Sequence, residues 1–127
     1  MAITATYSGY ISIADNTTGV QALQKVLSSL STTGITFTEM QSFNAGTSPT
    51  ALTLPVSPTN FMYIKNLHAT NTVAVTWTPT GGASNIVLTL VPGAFIGFAE
   101  PTGAAGISAI TVTASGASTP IEYIFAG

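Results

Sequence analysis

The side chains able to exchange a proton or hold an ion are few: Asp15, Lys25, Glu39, Lys65, His68, Glu100 and Glu122, with no arginine and no cysteine. A Ser-His-Asp relay would need His68 beside Asp15 and a serine. The sequence has no G-x-S-x-G elbow to present that serine. One histidine and four dispersed carboxylates give no ligand spacing for zinc or calcium. Glu39, Glu100 and Glu122 are the residues from which a glycosidase pair would be drawn. No motif singles them out, and roles at strand edges or subunit contacts suit them better. No catalytic, metal-binding or cofactor-binding residue is expected, and His68 is expected to be a polar residue ending a strand.

Trp77 and Tyr63 would be the residues of a sugar-stacking platform. However, Trp77 alternates with Val73 and Val75 along Val73-Ala74-Val75-Thr76-Trp77-Thr78, which places it on the core face. Gly81-Gly82-Ala83 and Gly103-Ala104-Ala105-Gly106 are glycine-rich, but a phosphate loop needs a lysine and a following helix. Strands follow both, so they read as turns. Asn16-Thr17-Thr18 matches a glycosylation sequon, which carries meaning only in a secreted chain. The start of the sequence has neither a basic region nor a continuous apolar one, so no signal peptide is expected.

The composition explains why so little chemistry is on offer. Charged residues make up 5% of 127 positions, with a formal net charge of -2, against about 25% in an ordinary soluble domain. The hydrophobic fraction is 46%, so the chain is not of the disordered class. Threonine, serine, asparagine and glycine fill the polar positions. Two scattered lysines cannot neutralise a phosphate backbone or bind an anionic bilayer, which excludes nucleic acid and membrane surfaces as partners. The longest apolar stretch, Ile86 to Ala99, is interrupted by Thr89, Pro92, Gly93 and Gly97 and falls short of a membrane helix. A chain so poor in charge lacks the usual electrostatic barrier to association. It belongs to a secreted protein or to one packed inside an assembly.

The elements that must carry this surface are strands. Tyr7–Ile13, Ile35–Phe43, Ala51–Leu54, Phe61–Leu67, Val73–Thr78, Ile86–Val91, Ala94–Phe98, Ile107–Ala114 and Ile121–Phe125 read as short β runs separated by Gly, Pro, Asn and Ser. One helical signal interrupts them. Val20, Leu23, Val26, Leu27 and Leu30 recur at three- and four-residue spacing, which predicts a short helix near residues 18–31, ended by Thr32-Thr33-Gly34. The expected fold is all-β: a jelly-roll-like antiparallel β-sandwich with one short helix, as a single domain over residues 1–127. In Ile86–Val91, Ile86, Leu88 and Leu90 are expected on the core face and Val87, Thr89 and Val91 outside. In Phe61–His68, Met62 and Ile64 face one way and Phe61, Tyr63 and Leu67 the other. Both faces are apolar, so a third layer is expected over this strand, supplied by the helix or by a neighbouring subunit.

From Tyr63-Ile64-Lys65-Asn66-Leu67-His68-Ala69-Thr70-Asn71 the order of motifs becomes distinctive. A V-x-V strand follows, then L-x-L-x-P-G at Leu88 to Gly93, a Gly/Ala loop, a strand ending in A-S-G-A, and Ile121-Glu122-Tyr123-Ile124. Over about residues 61–127 this order resembles small virion structural proteins of tailed bacteriophages, head decoration or cement proteins among them. The resemblance implies a β-sandwich subunit of a virus particle, made in the host cytoplasm. A single compact domain of this size, without coiled-coil heptads or collagen-like repeats, favours a head decoration role on the capsid surface. Its partners would be the major capsid protein or other virion subunits, and its assembly a homo-oligomer, a trimer. Phe61, Tyr63 and Leu67 are the candidate interface residues. The alternatives are a tail or connector component, or a receptor- or carbohydrate-binding module at a tail tip.

Overall fold

The computed structural model describes residues 3–14, 21–35, 38–54, 59–81, 84–99 and 105–127, with side chains from Gln41 onward. The described residues form ten strands: β1 (Ile3–Ala14), β2 (Gln21–Ile35), β3 (Thr38–Ala45), β4 (Thr50–Leu52), β5 (Phe61–Asn66), β6 (Val73–Pro79), β7 (Ile86–Leu90), β8 (Phe95–Ala99), β9 (Ile107–Ala114) and β10 (Thr119–Ala126). Strands β1 and β2 pair with each other alone. The other eight form two four-stranded sheets, in the orders β3-β10-β5-β8 and β4-β9-β6-β7. Every pairing is antiparallel. Only β6 and β7 follow each other within one sheet; every other step from β3 to β10 crosses to the opposite sheet.

The segment that its periodicity assigns to a helix is strand β2 from Gln21 onward; residues 18–20 lie outside the described residues. The helix prediction is therefore corrected. Ser28, Ser29, Ser31, Thr32 and Thr33 carry hydroxyls that compete for the backbone bonds of a helix. The preceding strand offers a ladder over its whole length, with Tyr7, Tyr10 and Ile13 opposite Leu30, Val26 and Leu23. Three-and-four spacing is a weak preference that such pairing overrides.

The two four-stranded sheets bury one core between them, which makes a β-sandwich. Met62 and Ile64 of β5, Ile121, Tyr123 and Phe125 of β10, and Ala45 of β3 supply one wall. Leu52 of β4, Val73, Val75 and Trp77 of β6, Leu90 of β7, and Ile107, Ile110, Val112 and Ala114 of β9 supply the other. The alternation in β6, β9 and β10 does this directly, because successive side chains point to opposite faces. Tyr123 and Phe125, two residues apart on one face, stack with ring centroids 4.7 Å apart.

Strand β7 departs from the expected pattern. Leu90 is buried and Val87 is 62% exposed, as expected, but Ile86 is 45% exposed and Leu88 42%. Ile86 and Leu88 stand opposite the core residues Trp77 and Val75 and so lie on the core side of their sheet. The strand is the last of its sheet, however, and only its Leu90 end is covered. Alternation identifies a face; it does not show whether anything lies over that face.

Candidate assembly interface

Strand β5 is apolar on both sides, and the two sides have different surroundings. Met62 and Ile64 are in the sandwich core. Phe61 lies on the outer side in a second cluster with Ala126, against which Tyr63, Ala99 and Ile124 pack. No helix covers this outer face among the described residues; strand β2 approaches the sheet at β8. The register sets Phe95 opposite Lys65, and Gly97 opposite Tyr63. With no side chain on Gly97, Tyr63 leans along the sheet, and its ring meets Phe95 at 5.8 Å and a 36° tilt. Phe95 is 56% exposed.

The Tyr63 hydroxyl donates to Glu122 Oε1 at 3.3 Å. Glu122 stands directly opposite Lys65 in the β10–β5 register, so the few charges on this face are gathered in one place. Burial first, then the neighbouring Glu122 carboxylate and its hydrogen bond, raise the Tyr63 pKa above the usual 10.0. All three causes disfavour the phenolate.

Of the three predicted interface residues, Phe61 and Tyr63 share the outer face, Phe61 buried and Tyr63 half-buried. Leu67 lies just past the end of β5, 44% exposed, its amide donating to the Pro120 carbonyl at 3.0 Å. It borders a polar junction rather than the Phe61 cluster. At that junction the fully buried Asn66 amide donates to the carbonyls of Asn71 at 2.8 Å and Leu90 at 3.1 Å. Its side-chain oxygen accepts the His68 amide at 3.0 Å. Asn66 also exchanges backbone bonds with the 91–94 turn, through Gly93 N to its carbonyl at 3.1 Å and its own N to Ala94 O at 2.9 Å. That turn has Pro92 second, Gly93 third with φ 77°, and Ala94 N bonded to Val91 O at 3.0 Å. The positive φ is why glycine stands there.

His68 occupies the same junction. Its Nδ1 accepts the amides of Thr70 at 3.0 Å and Asn71 at 2.8 Å, so the ring holds its own loop together. Among the described residues no carboxylate bonds to it, and no three acidic, His or Cys residues cluster as metal ligands. Asp15 and Glu100, the Asn16-Thr17-Thr18 sequon and parts of both Gly/Ala loops lie outside the described residues. Trp77 is 9% exposed, in the core between the sheets, whereas Tyr63 is on the outer face of one sheet. The two do not make a stacking platform. A cleft of ≈ 400 Å³ opens between β3 and β4, lined by Gln41, Phe43, Ala51, Leu52, Thr53 and Tyr123, with no ionisable acid or base beyond the tyrosine. The Tyr123 hydroxyl donates to Gln41 Oε1 across it at 2.9 Å. No helix among the described residues is long and apolar enough to cross a membrane.

The residues that sequence reasoning missed are Asn66, Asn71 and Thr119, which tie the junction, and the exposed Ile86 and Leu88. Asparagines at a strand end are a turn signal, so the junction was detectable as a turn, though not as a three-way knot.

No family model and no curated protein matches the sequence. Among solved structures, the chain is similar to a Bacillus protein described under "Bacillus endospore appendages form a novel family of disulfide-linked pili". The TM-score is 0.51 at 10% identity, over 71% of this chain and 81% of that one. At that identity the likeness is one of fold.

Proposed function

We propose that this protein is a non-catalytic structural subunit, specifically a capsid decoration protein that bridges and stabilises the subunits of a virus particle. The observation that carries the reading is the exposed apolar surface on a nearly uncharged sandwich: Leu67, Ile86, Val87, Leu88, Val91 and Phe95 are all more than 40% exposed. Three of these, Ile86, Val87 and Leu88, are consecutive on one edge strand, and apolar side chains gathered at one edge mark protein contacts. Covering it with another subunit contributes roughly 25 cal/mol per Å² before the costs of association. Many copies on one shell would add such modest contacts together. The virion assignment rests on the motif order over residues 61–127.

The finer fold assignment belongs to the same proposal. The orders β3-β10-β5-β8 and β4-β9-β6-β7, with all but one step crossing between sheets, support a jelly roll. That architecture is common among viral capsid domains, and also among lectins and cupins, so it favours the reading without deciding it. Within a shell the subunit would be homo-oligomeric, with the outer face around Phe61 and Tyr63 as one contact.

A second reading, a subunit of a surface filament, is favoured by the similarity to the pilus protein. Such a filament would have to be held without disulfides, since this chain has no cysteine. Immunogold labelling of particles and cells from a culture carrying the gene separates the readings. Label spread evenly over capsids is expected. Label confined to tails or to one vertex would favour the tail or connector alternative, and label along cell-surface filaments the second reading.

A further inference from the structure

We propose that strand β7 is a docking edge for a second copy of this chain, which pairs antiparallel with its own β7 about a two-fold axis at Leu88. Among the described residues the strand is bonded to β6 on one side and ends its sheet on the other. An edge strand presents unpaired N–H and C=O groups, so the group that fits it is another strand. Natural edges are usually blunted by a charge, an internal proline or a bulge. From Ile86 to Leu90 there is no charge and no proline, and the β6–β7 register runs without a shift.

The sequence of the edge selects the occupant. Ile86-Val87-Leu88-Thr89-Leu90 is close to symmetric about Leu88: the larger aliphatics at 86, 88 and 90 alternate with Val87 and Thr89, which have the same shape. Antiparallel pairing centred there sets Ile86 opposite Leu90, Val87 opposite Thr89, and Leu88 opposite its own counterpart. Residues directly opposite share a face. The core-side pairs are then aliphatic, and the outer pairs are Val–Thr. The contact would cover Ile86 and Leu88, which lie on the core side of the sheet and yet are 45% and 42% exposed. Charge points to the same partner. No charged residue lies between Ile86 and Ala99, so a second copy brings no charge to the contact. A two-fold contact is closed and uses up the edge, which protects it from open-ended pairing.

This inference rests on the structural-subunit reading but not on the virion assignment, and it uses an edge separate from the Phe61–Tyr63 face. The test is the mass of the purified full chain by analytical ultracentrifugation, for wild type, Leu88→Lys, Leu88→Glu and an equimolar mixture of the two variants. Near-ultraviolet circular dichroism checks that each is folded. The wild type is expected to dimerise. Each variant alone should self-associate more weakly, on the order of a hundredfold, because like charges meet across the axis. The mixture should recover the dimer, since residue 88 meets residue 88 only in this register. A monomeric wild type, a trimer or open polymer indifferent to charge at residue 88, or folded variants that fail to recover on mixing would each overturn the proposal. If both variants fail to fold, Val87→Lys, on the outer face and 62% exposed, takes their place; a Val87→Lys protein that dimerises like wild type overturns it. A wild-type dimer with these properties that never labels capsids would leave the edge contact standing and remove the decoration reading.

Discussion

Asn71 and Thr119, 48 residues apart in sequence, meet side chain to side chain: the Asn71 amide donates to the Thr119 hydroxyl at 2.9 Å. The same hydroxyl donates onward to the Gly116 carbonyl at 2.8 Å. With Asn66 and His68, this bond closes one end of the sandwich, joining the loops that follow β5, β7 and β9.

Gly116 is small because Asn71 needs the space. A Cβ at Gly116 would come within 2.6 Å of Asn71 Nδ2. Gly116→Ala is expected to push Asn71 off Thr119 and to destabilise by about 0.5–1.5 kcal/mol, the usual net contribution of one partly buried hydrogen bond. Asn71→Ala should cost a similar amount, and the double variant less than the sum, because both lose one network. Urea unfolding of the three variants checks this.

His68 is expected to matter for its loop. His68→Ala removes the acceptor of the Thr70 and Asn71 amides, about 0.5–1.5 kcal/mol for each bond. His68→Asn places an oxygen near the position of Nδ1 and should recover much of the loss. Hydrogen exchange at the two amides should quicken in His68→Ala and slow again in His68→Asn. Equal exchange in all three proteins would show that the ring does not hold the loop.

Tyr63 predicts an alkaline limit. Its folded-state pKa lies above the unfolded value of 10.0, so its contribution to stability is complete below pH 10.0 and is lost as pH rises through the folded value. Tyr63→Phe should lose less stability than wild type on going from pH 9 to pH 11, values chosen to bracket ordinary phenol titration. Denaturant midpoints at the two pH values measure the difference; parallel losses would remove the titration of Tyr63 as the cause.

Trp77 predicts a core cost. It is buried with Val73 and Val75 against Ile110 and Leu52 in one cluster. Trp77→Ala is expected to destabilise by about 3–5 kcal/mol, read from chemical denaturation followed by circular dichroism. An unchanged midpoint would place the indole outside the core.

The positions of most strands from Ala51 onward were legible in the sequence, because alternation and turn residues are local signals. Val73, Val75 and Trp77 could be assigned to one face for that reason, as could the opposition of Met62 and Ile64 to Phe61 and Tyr63. Near-absence of charge also pointed, before any coordinates, away from nucleic acid and towards a surface of Thr, Ser and apolar residues. Two local signals misled. The spacing of Leu23, Val26, Leu27 and Leu30 read as a helix, and Ile86 and Leu88 read as core.

Both errors have one cause. Periodicity records which side chains share a face, whereas pairing partners and cover come from residues distant in sequence. Strand β2 exists because β1 lies alongside it, and β7 is exposed because it ends its sheet. Phe61 and Phe95 are both on the outer side of one sheet, yet one is buried and the other 56% exposed. The amino-acid sequence determined a nearly uncharged, turn-rich, alternating chain that must fold as sheets. The tertiary structure alone decided which strands became edges, which apolar faces stayed uncovered, and that Asn66, Asn71 and Thr119 would meet, because those outcomes depend on contacts between segments that no local pattern encodes.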